Sequence, residues 1–258
     1  MEWLYTTWYG ITIICVVAIA LLFLLCALFY KKIFKRVIDF TLSLIALIVL
    51  SPILIILLII GAIAMKGNPI FVQPRPGKKN KKGTEKIFYL LKLRTMSNAK
   101  DKNGNLLPDD LRLNKYGKFL RSTSMDELPS LINILKGDLS IVGPRPQLVR
   151  DMVFMNDEQR KRHDVRPGLT GLAQVNGRNN ITWEQKFEYD LKYIKKISLF
   201  GDLKIILQTV GKVLKRTDVN REGTESDIDF GEWLLKENKV SIEEFNLKQE
   251  EAKEILKG

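Results

Sequence analysis

Asp126 and Glu127 stand side by side in Ser124-Met125-Asp126-Glu127-Leu128-Pro129, within a chain of 258 residues and net charge +12. Arg94, Arg121, Arg145 and Arg178 supply the planar forks that match phosphate oxygens. An acidic pair among such cations points to a nucleophile or a metal ligand working at phosphorus on an anionic substrate. A structural reading competes. Ser124 and Glu127 have the Ser-x-x-Glu spacing of a capping box, and acids suit the first turn of a helix. A helix start also favours phosphate, and helical neighbours point about 100° apart, so the two acids would have different tasks.

Val142-Gly143-Pro144-Arg145-Pro146 is a second constellation. Two prolines fix φ around one arginine, which aims its side chain at little entropic cost. A rigid turn carrying a solvated arginine reads equally well. Arg166-Pro167-Gly168-Leu169-Thr170-Gly171 and Asn176-Gly177-Arg178-Asn179 are glycine-punctuated loops of the kind that let backbone amides approach a phosphate. They match neither the Walker A nor the dinucleotide fingerprint. Lys92 and Arg94, two residues apart at the end of a predicted strand, share a face. His163, the only histidine, follows Lys161-Arg162 and reads as a surface residue. One histidine, with Cys15 and Cys26 confined to an apolar run, argues against a Ser-His-Asp triad and a thiolate zinc site. Asp101, Asn103 and Asn105 imitate the start of a calcium loop. Leu106 and Arg112 occupy the positions that need glycine and glutamate, so calcium is rejected.

These residues must be placed by elements that include the membrane. Tyr9 to Tyr30 is 22 residues without a charge, enough for a span of about 30 Å. Trp3, Tyr5, Trp8 and Tyr9 at one end and Phe29 and Tyr30 at the other resemble aromatic belts. A cleaved signal peptide is disfavoured, because no Lys or Arg precedes the run and no small-x-small site follows it. Lys31, Lys32, Lys35 and Arg36 then place the N-terminus outside and the rest in the cytoplasm. Residues 37–65 are longer than a simple span needs, carry only Asp39 as a charge, and contain Ser51-Pro52 at the middle. Proline kinks a helix, and both flanks are basic, so a re-entrant helix that enters and leaves by the cytoplasmic face fits, with an ordinary kinked span as the alternative.

Phe71-Val72-Gln73 and Ile87 to Leu93 read as strands around a basic loop. Leu128 to Leu135, Thr182 to Ile194 and Leu203 to Leu214 carry apolar stripes at helical spacing, the second opened by a Thr182-x-x-Gln185 capping box. The third has the lysine-rich polar face of a helix lying in a membrane interface, or else packs as core. Ser241 opens a last helix, in a tail read as an accessory or homo-oligomer contact. The expected architecture is membrane-associated and mainly α-helical with a small β-hairpin. It comprises an N-terminal transmembrane anchor (1–34), a catalytic domain (35–219) with the re-entrant helix 37–65 and interfacial amphipathic helices, and a C-terminal tail (220–258).

Taken in order, Lys35-Arg36-x-x-Asp39, Ser51-Pro52, Gln73-x-Arg75-x-Gly77, Lys92-x-Arg94-Thr95-Met96, Leu120-Arg121, Asp126-Glu127-Leu128-Pro129, Gly143-Pro144-Arg145-Pro146 and Gln174-Val175-Asn176-Gly177-Arg178-Asn179 resemble the bacterial sugar transferases, the monotopic phosphoglycosyl transferases. Lys161 to Gly168 and Leu214-Lys215-Arg216 look most like the diacetylbacillosamine-phosphate type. The resemblance implies a re-entrant helix bent at Ser51-Pro52. It implies transfer of a sugar 1-phosphate from a UDP-sugar to undecaprenyl or another polyprenol phosphate, with Mg²⁺, at the bacterial inner membrane with the catalytic domain cytoplasmic. The product would feed polysaccharide or glycoprotein assembly. On that resemblance Asp126 is the nucleophile and metal ligand, Glu127 supports the site, and Lys92, Arg94, Arg121, Pro144, Arg145 and Arg178 bind substrate. Ser130 and Leu172 depart from the family's usual Gln and Trp, with a bearing on donor choice. A catalytically inactive membrane scaffold for glycan-assembly enzymes is the alternative class. Nucleic-acid binding is disfavoured, since no module signature or aromatic interleaving accompanies the basic residues.

Overall fold

The computed structural model describes residues 2–177, 181–215 and 228–257. The elements run α1 (Glu2–Phe29), a π-helical stretch (Tyr30–Phe34), α2 (Lys35–Met65), β1 (Ile70–Lys79), β2 (Glu85–Leu93), α3 (Asp109–Arg112), α4 (Lys115–Thr123), a 3₁₀ turn (Met125–Glu127) and α5 (Ser130–Lys136). They continue as β3 (Ser140–Val142), α6 (Val149–Met152), α7 (Asp157–Arg160), β4 (Gly168–Thr170), α8 (Leu172–Val175), α9 (Trp183–Lys195), α10 (Leu199–Lys215), α11 (Phe230–Lys236) and α12 (Ile242–Lys257). The molecule is mainly helical. β1 and β2 form an antiparallel hairpin, with Gln73 opposite Leu90, and β3 and β4 form a short parallel pair.

The two apolar runs of the sequence join into one helical stretch, and Thr7–Met65 is long and apolar enough to cross a membrane. α2 passes through Pro52 unbroken. Proline leaves the carbonyl four residues back without its N–H partner; here that carbonyl is Ile48's, and Ser51 Oγ donates to it at 2.8 Å. The Ser-Pro pair thus keeps the helix's backbone satisfied at the proline.

One face of α2 packs against the rest of the fold along most of its length. Near its start, Arg36 donates to the Ile134 and Leu135 carbonyls at the end of α5, at 2.5 and 2.9 Å, where a cation suits the helix dipole. Asp39 accepts from Ser140 Oγ and the Ile141 N–H. Near its end, Tyr116 Oη donates to the Leu57 carbonyl at 2.6 Å and Asn114 Nδ2 to that of Ala64. Gly61 permits this approach, since a Cβ there would lie 2.8 Å from Tyr116 Oη. The opposite face, including Ile45, Ile48, Val49, Ile56, Ile59 and Ile63, is exposed.

At the helical junction, the buried Asp202 carboxylate of α10 accepts from Tyr30 Oη, Tyr193 Oη and Lys35 Nζ, satisfying a charge that would otherwise be costly to bury. α10 buries Ile205 and exposes Phe200, Leu203, Leu207 and Val210. The tail packs onto the preceding domain. Ala252 and Ile255 of α12 meet Val149, Met152 and Val153, and Phe230 joins Trp183 and Phe187.

Three expectations change. Ser124 does not cap a helix: at φ +55° it ends α4, its side chain makes no capping bond, and α5 begins only at Ser130, after Pro129. His163 is buried, with Nδ1 3.2 Å from Glu85 Oε1. Its charged neighbours in sequence belong to a short turn folded under the hairpin rather than to an exposed helix. Gly168-Leu169-Thr170 is strand β4, not a phosphate loop. A Cβ on Gly168 would lie 2.1 Å from the Gly143 nitrogen, so glycine is required by strand contact.

Candidate active site

The outer edge of β2 is closed by side chains rather than by another strand. Asn133 Oδ1 accepts the Leu91 N–H at 3.0 Å, Asn133 Nδ2 donates to the Tyr89 carbonyl at 2.8 Å, and Ser130 Oγ donates to the Leu91 carbonyl at 2.7 Å. All three backbone groups would otherwise be edge groups needing partners. These bonds fix α5 against β2, and α5 carries the Met125–Glu127 turn at its front. Lys92, on β2, is thereby set beside both acids.

The two carboxylates have different surroundings. Glu127 Oε1 takes Lys92 Nζ at 2.8 Å and Arg145 Nη2 at 3.3 Å. Among the described residues no protein group donates a hydrogen bond to Asp126, and Lys92 Nζ is 3.9 Å from its Oδ2. Burial pushes the Asp126 carboxyl above the usual carboxylate range; Lys92 opposes that rise, Glu127 adds to it, and Arg145 and Arg121 oppose it. Asp126 is a partly buried carboxylate with no hydrogen-bond donor among the described residues and a cation nearby, the condition of a nucleophile or of a metal ligand shared with a substrate.

Both acids open into a cleft of about 970 Å³, lined also by Lys92, Arg94, Thr95, Arg112, Arg121, Arg145 and Arg75. That volume lies at the upper end of small-molecule sites. Arg121 Nε donates to Thr95 Oγ1 at 3.2 Å, and both residues line the cleft. Of the residues expected to bind substrate, Lys92, Arg94, Arg121 and Arg145 come together here. Pro144 does not line the cleft; its carbonyl accepts the Gly168 N–H at 2.9 Å. Arg178 lies outside the described residues.

The Arg145 turn is held from behind. Arg162 Nη2, on a side chain 1% exposed, donates to the Arg145 carbonyl and to Asp190 Oδ2, both at 2.6 Å. Arg75 Nη1 donates to the Pro146 carbonyl and Nη2 to Gln73 Oε1. Burial, and then Arg145, lower the Arg75 pKa to about 10. Sequence reasoning assigned no role to Arg75, Arg112, Arg162, Trp183 or Lys186. The alternation Gln73-x-Arg75 on a strand did signal a shared face. Arg162 carried no such signal, because its partners are distant in sequence.

Residues 30–216 match the family described as bacterial sugar transferase. An uncharacterized sugar transferase, EpsL, of Bacillus subtilis is 49% identical over 184 residues, covering 70% of this chain and 88% of that protein. A UDP-glucose:undecaprenyl-phosphate glucose-1-phosphate transferase of Klebsiella pneumoniae is 42% identical over 70% of this chain and 40% of its own length. An undecaprenyl-phosphate galactose phosphotransferase of Salmonella typhimurium is 33% identical over 72% of this chain and 41% of its own. The chain thus spans about two fifths of the two longer relatives.

Proposed function

The chain belongs to the bacterial sugar transferase family, and we propose that it transfers a sugar 1-phosphate from a UDP-sugar to a polyprenol phosphate, releasing UMP. The observation that carries this reading is the asymmetry of the acidic pair: Glu127 is held at hydrogen-bond distance by Lys92 and Arg145, while partly buried Asp126 has only the longer ion pair to Lys92 and opens to the cleft. The relatives' names support the substrate classes.

In the first step an Asp126 carboxylate oxygen forms a bond to the β-phosphorus and the bridging P–O bond breaks, so UMP leaves with the electron pair. In the second, a phosphate oxygen of the polyprenol phosphate bonds to the same phosphorus and the Asp126–phosphorus bond breaks. The product is a polyprenol diphosphate sugar, and Asp126 is regenerated. Two steps let a soluble donor and a lipid acceptor use one site in turn. Lys92, Arg94, Arg121 and Arg145 neutralise the diphosphate and steer it inward. Glu127 fixes Lys92 and Arg145 at the distance from which both can reach phosphate oxygens.

No cluster of three or more metal-ligating side chains occurs among the described residues. Mg²⁺ is commonly held by one or two carboxylates plus substrate phosphates, so Asp126, the acid without a close hydrogen-bond donor, fits such a shared site. Bound there, the ion would supply charge neutralisation at the diphosphate.

The membrane placement follows the contacts of α2. Both its ends meet the same domain, its outward face is apolar, and basic residues flank it, which supports a re-entrant helix entered from the cytoplasmic side of the inner membrane. The exposed apolar residues of α10 support an interfacial position for that helix.

The test is nucleotide release from a panel of UDP-sugars, including diacetylbacillosamine, N-acetylgalactosamine, galactose and glucose donors, with undecaprenyl phosphate and Mg²⁺. UMP from one donor, abolished in Asp126→Asn, is the expected result. UDP as the product, or full turnover by Asp126→Asn, would overturn the mechanism.

A further inference from the structure

The family match ends at residue 216, yet part of the cleft's lining comes from beyond it: Ile228 and Asp229 line the same space as Asp126. The segment is anchored there by several independent contacts. Trp183 Nε1 donates to the Ile228 carbonyl at 3.2 Å. The Phe230 N–H donates to buried Asp151 Oδ1 at 2.8 Å, and Asp229 pairs with Arg150. Phe230 stacks with Trp233 at 5.9 Å and meets Phe187 edge-on at 5.0 Å. Gly231 lets Phe154 approach, since a Cβ there would fall 2.5 Å from its ring. α6, held by this contact, lies three residues beyond Pro146, so the tail also braces the turn that presents Arg145.

The cleft lining holds two clusters of different chemistry. The Asp126 cluster carries Lys92, Arg94, Arg112, Arg121 and Arg145, all suited to phosphate oxygens. Around Asp229 the lining carries the Asp151 carboxylate, the Arg150 guanidinium that pairs with Asp229, and Trp183 with Lys186 over its ring. Carboxylates repel a diphosphate but accept hydrogen bonds from hydroxyl groups. Both Asp151 oxygens are already engaged, by the Phe230 and Leu148 N–H groups. Asp229, with one oxygen toward Arg150 and a side chain 18% exposed, retains acceptor capacity. Burial and the neighbouring Asp151 push its pKa up to about 6, so it remains an ionised acceptor at pH 7.5.

We propose that Asp229, delivered by the C-terminal segment, is a specificity-determining residue of the donor site, accepting hydrogen bonds from hydroxyls of the nucleotide sugar. This rests on the function proposed above. The chemistry, a hydroxyl on a ring carbon, is shared by the ribose and by the transferred sugar.

The experiment uses the full chain with the donor that releases UMP, its 2′-deoxyuridine analogue and its deoxy-sugar analogues, for wild type and Asp229→Asn at pH 7.5. A hydroxyl bonded to a carboxylate discriminates against its deoxy analogue about tenfold or more in kcat/KM. That discrimination is expected to fall to within about twofold in Asp229→Asn. Collapse for the deoxyribose analogue assigns the ribose; collapse for a deoxy-sugar assigns the transferred sugar. A general loosening of the tail would slow every donor alike and leave the discrimination intact, and that outcome overturns the proposal while the transfer reaction stands. If wild type releases no UMP from any donor, the proposed reaction fails. UDP-sugar and deoxy-analogue binding by calorimetry then decides Asp229 by the same comparison.

Discussion

Lys92→Met separates the electrostatic role of this cation from its contact with substrate. Lys92 Nζ lies 3.9 Å from Asp126 Oδ2, and the two side chains are 18% and 16% exposed. At that separation and an effective dielectric of about 20, a unit pair interacts by about 4 kcal/mol. Arg121 and Arg145 remain nearby, so the loss is partly offset. Removing an adjacent cation then raises a carboxylate pKa by about 1–3 units. Asp126 already stands above the usual range because it is buried. As the proposed nucleophile it must be ionised to attack, so the variant is expected to move the acidic limb of the kcat/KM profile to higher pH. The assay is UMP release across pH 4.5–9 with the cognate donor, and the reading is the position of the limb. Its height is expected to fall as well, because Lys92 is proposed to bind the diphosphate. A limb that stays within about 0.3 unit of wild type would refute the assignment of Asp126 as the titrating nucleophile held by Lys92.

Asn133→Leu leaves the Leu91 N–H and the Tyr89 carbonyl without partners in a buried site. It is expected to cost about 2–4 kcal/mol in chemical denaturation and to lower UMP release by displacing the Met125–Glu127 turn. The buried His163 is neutral in the fold, its pKa lowered to about 4 by burial and, against the opposing pull of Glu85, by Arg162. The unfolded chain takes up that proton from about pH 6.5 downward and the folded chain does not until about pH 4. The contribution of His163 to stability is therefore full above pH 6.5 and falls by about 3 kcal/mol toward pH 4, and His163→Asn should remove that contribution from the pH dependence read in denaturant titrations. Ser51→Ala should destabilise α2 by about 1–2 kcal/mol by orphaning the Ile48 carbonyl, read as a lower melting temperature in detergent. Single cysteines at positions 36 and 66, with Cys15 and Cys26 replaced, should both label from the cytoplasmic side. Labelling of position 66 from outside would sink the re-entrant placement.

Much of the architecture was legible because it is local. The Thr182–Gln185 capping box forms as read, with Gln185 N–H on Thr182 Oγ1 and Thr182 N–H on Gln185 Oε1, because both partners lie within one turn. The β1–β2 hairpin and the amphipathic α10 follow from alternation and helical periodicity, properties that a short window contains. Ser124 misled for the same reason: its spacing fits a capping box, but Pro129 and the left-handed Ser124 end one helix and delay the next.

The sequence by itself determined the reacting groups: an adjacent acid pair, a set of arginines and lysines, and apolar runs sufficient for a membrane helix. Residue type and charge are sufficient for that, since the affinity of guanidinium for phosphate needs no fold to be stated. Only the tertiary structure decided which acid is engaged. Lys92 and Arg145 come from β2 and from the Gly143–Pro146 turn, 34 and 19 residues from Asp126, and their meeting at Glu127 depends on Asn133 and Ser130 closing the edge of β2. It also decided that Asp229, 103 residues after Asp126, shares its cleft. Such contacts arise from packing between distant segments, where burial and hydrogen-bond satisfaction outweigh anything that neighbouring residues specify.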